Sequence, residues 1–576
     1  LTEPLIIVSP ARITVGRLET LRLNDTYANA PEPPPSPEFG GIRTSPANLL
    51  YLHTLFPTAV WHDPHNRLVE ARAYRFIARL RQEEPGEYER SFPFKWQPKD
   101  YQLKLFTHAR RMTNIALSPV ALGTGKSKMT IDIAADKFLR DEIDILIVIA
   151  PNGVHRQWIN TAIPTHLPEC VKWVGAVWRP TRKTPKEVME APRGVRRLRV
   201  LTFNVESLSA EGGKAAKELR KLMATGRAML VMDESSRIKN PRAQRTKAIV
   251  KLRALAAVRV ILTGTPVTKG MEDFYTQYEF LDPAIIGMTN YYAFRNRYCV
   301  MMPAYRGAGV GAVKITGYKN QEELIRKIAP VSFMIGPEVL GLREPRYERF
   351  EVEPTAEQTQ IYRMLKEMLI EDLRDKKIVT PANAAVRILR MQQVLCGRYY
   401  ERVEVEGEEE VYAQEPRIIP SNRPDALLSL LEQHDGQAVI WARFKEDIDD
   451  IVAAAGTVGR VTIYDGRTDD RDREIAVESF KRGEIDYFVA NPAAGGTGVD
   501  GLQVCQNAFY YSNSYNAEHR WQSEGRTYRL GQQGSPLYVD LVVPNSVDTM
   551  ILDNLKAKRD LGKAIMDNPA MLNGGL

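Results

Sequence analysis

The sequence predicts an α/β fold: two parallel-sheet lobes in tandem, with helical insertions and a small N-terminal accessory domain. Three observations carry this. From about residue 91, short apolar runs alternate with helical stretches, the rhythm of strand–helix–strand units whose strands lie parallel. The rhythm breaks over 286–425 and then returns. A glycine turn, Ala121-Leu-Gly-Thr-Gly-Lys-Ser-Lys-Met-Thr130, follows the apolar run Ile115-Ala-Leu117 and opens into a helical run from Ser127 to Leu139. Strand, glycine turn and helix together make a phosphate cradle.

Residues 1–90 read as the accessory domain, a candidate for substrate recognition. Leu5–Val8 and Arg12–Val15 look like short strands. Pro31-Glu-Pro-Pro-Pro-Ser-Pro-Glu38 is expected to be a stiff extended linker, because proline fixes φ and removes a donor. Arg67–Arg81 reads as a basic helix with an apolar stripe at Leu68, Ala71, Tyr74, Ile77 and Leu80. A solvated face over a small core is favoured there over DNA contact by Arg72, Arg75, Arg79 and Arg81.

Residues 91–345 form the first lobe, with strands expected at Ile143–Ala150, Arg199–Thr202, Ala228–Met232 and Val258–Thr263. Residues 346–425 read as a helical and hairpin insertion of the second lobe. Just before it, Gly307–Gly317 is expected to be a glycine-rich loop; helices are expected at Pro354–Lys376 and Ala382–Leu395, and an exposed hairpin at Glu401–Tyr412. Residues 426–545 form the second lobe, with strands at Ala438–Trp441, Val461–Tyr464, Tyr487–Ala490, Ala508–Tyr511 and Leu537–Val542. Residues 546–576 are a C-terminal helical tail.

Bulk properties narrow the classes. The 576 residues carry a net charge of +8, and this basic balance suits a polyanionic partner. The four cysteines (Cys170, Cys299, Cys396, Cys505) are isolated in sequence, which argues against a disulfide framework or zinc site. His62 and His65 stand without a neighbouring cysteine and read as a polar loop. No apolar run approaches the ~18 residues a membrane span needs. The start, Leu1-Thr-Glu-Pro4, lacks a signal-peptide pattern and an initiating Met, as in a trimmed chain.

The chemistry lies at strand ends. Gly123, Thr124 and Gly125 let backbone N–H groups face phosphate oxygens, Lys126 reaches the outer phosphates, and the Ser127 hydroxyl suits Mg²⁺. The glycine expected five residues before Gly125 is absent, with Val120 in its place. Val231-Met-Asp-Glu-Ser-Ser-Arg237 ends an apolar strand with two carboxylates. Asp233 suits Mg²⁺, and Glu234 suits orienting or deprotonating water. Leu262-Thr-Gly-Thr-Pro266 puts two hydroxyls on the next strand's turn.

These motifs, in this order, resemble the SWI/SNF family of superfamily 2 helicase-type motors, whose fold is a pair of RecA-like lobes. Pro98-Lys-Asp-Tyr-Gln102 is similar to the family's adenine-reading segment. Ala150-Pro-Asn-Gly-Val-His-Arg-Gln-Trp158 and Leu201-Thr-Phe-Asn204 resemble its backbone-contacting motifs, and Asp233-Glu-Ser-Ser236 with Arg237-Ile-Lys-Asn240 its acidic motif. In the second lobe, Val439–Phe444, Tyr464-Asp-Gly-Arg-Thr468, Asn491–Asp500 and Gln522-Ser-Glu-Gly-Arg-Thr-Tyr-Arg-Leu-Gly-Gln532 match in order. The match extends over roughly 92–555. Arg297-Tyr-Cys299 with Gly317-Tyr-Lys-Asn320 is similar to the annealing-helicase branch, but Met334-Ile335 is followed by Gly336-Pro337 where that branch carries arginines. Ser236 stands where the family carries histidine.

The resemblance implies a DNA-dependent ATPase using ATP and Mg²⁺. Gln102 would read adenine, and Gln522 would join the nucleotide site. Lys126, Asp233, Glu234, Arg526 and Arg529 would carry hydrolysis. The two arginines, three residues apart, are expected on one helical face as an arginine finger. Pro151, Asn152, Thr202, Asn204, Arg443, Thr468, Gly496 and Thr497 would grip DNA phosphates with little sequence preference. The expected activity is translocation on duplex DNA and remodelling of branched DNA. The alternatives are a strand-separating helicase on DNA or RNA, a nucleosome or protein–DNA remodeller, and a non-catalytic scaffold. A monomer is expected, in the cytoplasm of a bacterial or phage-infected cell, or in a nucleus if the source is eukaryotic.

Overall fold

The computed structural model describes residues 84–567 apart from 121–122, 192–193, 210–212, 265, 268–269, 289, 304–312, 336–338, 340, 375–380, 404–410, 496–498, 500 and 530, and four short strands before residue 84. Those four, Leu5–Val8, Arg12–Gly16, Gly41–Arg43 and Val60–His62, pair into one small sheet. The proline-rich stretch at 31–38 and the basic helix expected over 67–81 lie outside the described residues.

The first lobe is a sheet of seven parallel strands: β1 (Asn114–Val120), β2 (Ile145–Ala150), β3 (Trp173–Val177), β4 (Leu198–Asn204), β5 (Ala228–Asp233), β6 (Ala256–Leu262) and β7 (Ser332–Ile335). Their order is β7-β1-β6-β5-β2-β4-β3. The apolar run of β2 is fully buried, as a strand covered on both faces requires. Ile145, Ile147 and Ile149 pack into one core cluster and Leu146, Val148 and Ala150 into another, which is the period-two alternation of a strand. Sequence reading missed the edge strands β3 and β7. The expected loop from Gly307 to Gly317 needs correction. Val313–Tyr318 is a strand, paired antiparallel with Cys299–Pro303, whose apolar run supplies its partner.

The second lobe is a sheet of six parallel strands: β8 (Arg346–Glu351), β9 (Ala438–Trp441), β10 (Val461–Tyr464), β11 (Tyr487–Ala490), β12 (Asn507–Tyr510) and β13 (Leu537–Val542), ordered β8-β13-β12-β9-β11-β10. The two sheets are tandem RecA-like lobes. The first stretch of 346–425 is thus an edge strand of this sheet, with Arg346–Glu351 pairing Leu537–Val542. Helices Ala356–Arg374 and Pro381–Leu395 follow, then a short hairpin of Arg402–Val403 with Val411–Tyr412. Among the described residues, no helix is long and apolar enough to cross a membrane.

Three helices position the site: α1 (Asp100–Ala109), α2 (Lys126–Leu139) and α3 (Ala517–Thr527). The glycine turn sits at the carboxyl end of β1, where ligands collect in parallel sheets.

Candidate active site

The glycine turn forms the floor. Gly123 and Gly125 have φ of +80° and +86°, a left-handed conformation that suits glycine. The turn delivers the chain into α2 at Lys126, so the N-terminal N–H groups of a 14-residue helix face the same point. Helix α1 clamps the turn from outside. The Tyr101 hydroxyl and the Gln102 Nε2 both donate to the Thr124 carbonyl, at 2.8 and 2.9 Å. Gln102 Oε1 accepts from the Lys99 amide at 3.1 Å. The fit is close: a Cβ on Gly125 would lie 2.6 Å from Gln102 Nε2.

The acidic wall is the end of β5. Asp233 is buried, and both its oxygens are engaged. The indole N–H of Trp158 donates to Oδ2 at 2.8 Å, and the Glu234 amide donates to Oδ1 at 3.0 Å. Trp158 lies in the Ala150–Trp158 stretch, which sequence reading assigned to DNA contact; its role as a brace for Asp233 was missed. Glu234 adopts φ +51°, which turns its side chain out of the strand line. Thr263 Oγ1 reaches Glu234 Oε2 at 3.5 Å. Ser235 Oγ donates to Gln277 Oε1 at 2.6 Å, while Gln277 Nε2 donates to the Pro266 carbonyl at 2.8 Å. Gln277 therefore ties the acidic turn to the Leu262–Pro266 turn.

Electrostatics confirm that these groups share one space. Burial pushes the Lys126 ammonium down, Glu234 and Asp233 oppose the fall, and Arg529 and Arg526 add to it. Burial raises the Asp233 carboxyl, against the Trp158 hydrogen bond and the Lys126 charge. Burial raises Glu234 to about 7, with Asp233 and Glu518 adding to the rise and Lys126 and Arg526 opposing it. A carboxyl titrating near neutrality beside a phosphate cradle is what a general base requires.

The second lobe closes the site. Arg526 lies in the last turn of α3, and its Nη1 donates to the Val499 carbonyl at 2.7 Å. Arg529 lies against the glycine turn: a Cβ on Gly123 would fall 2.7 Å from its Cγ. The sequence argument for this pair needs correction. The helix stops at Thr527, and Tyr528 (φ −84°, ψ 81°) leads the chain out of it, so the two arginines do not share a helical face. They reach the same site from the last turn and from the loop beyond. Gln522 is buried, and its Nε2 lies 3.4 Å from Glu518 Oε1.

The residues expected to grip DNA fall in several places. Asn152 and Asn204 line one cleft of about 580 Å³ with His155, Arg156, Trp178, Arg179 and Lys214, and among the described residues no carboxylate lines it. Asn204 Oδ1 accepts from the Ser207 amide at 3.0 Å, shaping the turn after β4. Pro151 is buried, and its carbonyl accepts from the His155 amide at 3.2 Å. Thr202 is fully buried inside β4 and contributes its carbonyl, which accepts from the Trp178 amide at 2.9 Å. Arg179 and Lys214 are exposed on the cleft wall, and sequence reading did not single them out; a cation two residues after β3 was the available signal. Arg443 is half-buried, with Nη1 bonded to Gln392 Oε1 and its amide donating to Ser512 Oγ at 2.8 Å. Thr468 Oγ1 accepts from the Asp465 amide at 3.1 Å. Gly496 and Thr497 lie outside the described residues.

The chain is similar in sequence to known proteins. The chain is 24% identical over 387 residues to "DNA repair and recombination protein RAD54B" of Gallus gallus, covering 61% of this chain and 41% of that one. It is 21% identical over 495 residues to "Transcription regulatory protein SNF2" of Saccharomyces cerevisiae, covering 81% and 28%. It thus spans less than half the length of each of these relatives. Among solved structures it is similar to the "Sulfolobus solfataricus SWI2/SNF2 ATPase core in complex with dsDNA", at 19% identity and a TM-score of 0.36, covering 83% of this chain and 95% of that one. The helicase conserved C-terminal domain matches residues 422–531, and the SNF2-related domain matches residues 70–397, more than half of the sequence. The chain belongs to the SNF2 family.

Proposed function

We propose that this chain is a DNA-dependent ATPase that converts ATP hydrolysis into movement along duplex DNA and remodels branched DNA. One observation carries the reading. Asp233 and Glu234 of the first lobe and Arg526 and Arg529 of the second all lie close enough to act on the charge of Lys126, and Arg526 also acts on Glu234. A site assembled from both lobes makes hydrolysis depend on their closure.

The residues fit ATP and Mg²⁺. The glycine turn leaves backbone room where a Cβ would clash, α2 offers its N-terminal N–H groups, and Lys126 supplies the cation. Ser127 and Asp233 would hold Mg²⁺, which would neutralise phosphate charge. Trp158 keeps Asp233 oriented. Glu234 accepts a proton from the attacking water, and Arg526 and Arg529 stabilise charge on the transferred phosphoryl. Gln102, bonded to the glycine turn, would couple adenine recognition to that turn.

The cleft beside Asn152 and Asn204 suits a sugar–phosphate strand, since its charged side chains among the described residues are all basic. Phosphate contacts carry no base information, so little sequence preference is expected. Branched DNA as the preferred substrate is supported by the Arg297–Cys299 and Gly317–Asn320 resemblance and by a relative named for repair and recombination. The test is the ATPase rate on single-stranded, duplex, forked and four-way DNA at fixed salt, with a strand-displacement assay alongside. Stimulation by duplex and forks without strand displacement supports the reading. Stimulation by single strands with displacement replaces it with a strand-separating helicase.

A further inference from the structure

We infer that Glu518 is the positioning residue through which the second lobe holds the segment after the acidic pair in its hydrolysis-competent place; this rests on the ATPase reading above. Glu518 lies in the first turn of α3, 6% exposed. Across the lobe boundary, the Ser236 hydroxyl donates to its Oε1 at 3.1 Å. Arg237 Nε stands 3.8 Å from Oε1, and Lys239 Nζ 3.6 Å from Oε2. On its own helix, Gln522 Nε2 lies 3.4 Å away. Ser236, Arg237 and Lys239 directly follow Asp233 and Glu234, on the turn Ser235–Ile238 and its cap.

A buried carboxylate is costly unless paired. Here Ser236, Arg237 and Lys239, which face its carboxylate from outside its own helix, all belong to the other lobe. Closing the lobes gives Glu518 two cations and a hydroxyl; opening them strips all three away. The contact therefore favours closure and fixes the backbone that carries the acidic pair. It joins the lobes at Ser236, where the family pattern carries histidine.

The experiment uses the full chain with duplex DNA. Glu518→Ala and Glu518→Lys are each expected to lower kcat about tenfold or more while KM for ATP stays within about twofold, because ATP-contacting groups are untouched. Adding Lys239→Glu to Glu518→Lys is expected to restore much of kcat, an outcome that mere packing damage would not give. Lobe closure is read separately, by energy transfer between a dye on the exposed Cys170 and one on Val458→Cys, also exposed. Glu518→Lys is expected to depopulate the closed state and the charge-swapped pair to refill it. Unchanged kcat and closure in Glu518→Lys, or a swap that restores neither, overturns the inference. A wild-type chain that closes through Glu518 yet turns over no ATP overturns the ATPase reading and leaves the latch standing.

Discussion

Trp158→Phe removes one hydrogen-bond donor from the acidic wall and leaves most of the ring volume in place. The indole N–H donates to Asp233 Oδ2 at 2.8 Å, and Trp158 is 1% exposed, so no bulk water replaces it. A hydrogen bond to a charged group contributes about 1.5–3 kcal/mol. If Asp233 holds Mg²⁺ as proposed, orienting its carboxylate corresponds to roughly 10–100-fold in metal affinity or activity. The assay is DNA-stimulated ATP hydrolysis across a Mg²⁺ titration, with thermal unfolding measured on the same preparations. The expected result is a higher half-saturating Mg²⁺ concentration and a kcat lowered about tenfold or more, in a protein that still unfolds cooperatively. A folded variant with wild-type kcat and wild-type Mg²⁺ dependence would refute the idea that the indole holds Asp233 for metal binding.

Gly123→Ala places a Cβ 2.7 Å from Arg529 Cγ at a φ of +80°, so it is expected to lower ATP turnover about tenfold or more without touching Lys126; normal turnover would show that Arg529 need not approach the turn. Arg179→Ala and Lys214→Ala are each expected to weaken DNA binding and to reduce the slope of log affinity against log salt by about one, read by fluorescence anisotropy at several salt concentrations. Asp447 is buried, and burial raises its carboxyl to about 7. The folded state therefore binds this proton more tightly than the unfolded chain. The contribution to stability is complete below the ordinary carboxyl range and is lost as pH rises through about 7. Melting temperatures from pH 5 to 8 are expected to fall more steeply in the wild type than in Asp447→Asn; parallel profiles would contradict it.

Much of this molecule was legible because parallel strands buried on both faces leave unbroken apolar runs. The strand at Ile145–Ala150 is one, and the glycine turn and the acidic pair each sit at the end of another. Edge strands leave weaker traces. Trp173–Val177 is half-buried and interrupted by Gly175, and Arg346–Glu351 is polar enough to read as part of an insertion. The site was readable wherever a residue type has few other uses in its context, as with Lys126, Asp233 and Glu234. It was unreadable where a role depends on a contact distant in sequence. Trp158 and Asp233 are 75 residues apart, and Ser236 and Glu518 are 282 apart. Spacing misled once: Arg526 and Arg529 have a helical interval, but the helix ends between them.

The most direct measurement separates nucleotide binding from turnover in Arg529→Ala, using a fluorescent ATP analogue for binding and phosphate release on duplex DNA for turnover. A site assembled from both lobes requires near-normal binding, since Lys126 and the glycine turn remain, and turnover lowered about 10³-fold, as for loss of an arginine finger. Wild-type turnover in Arg529→Ala would contradict it, because hydrolysis would then proceed on the first lobe alone.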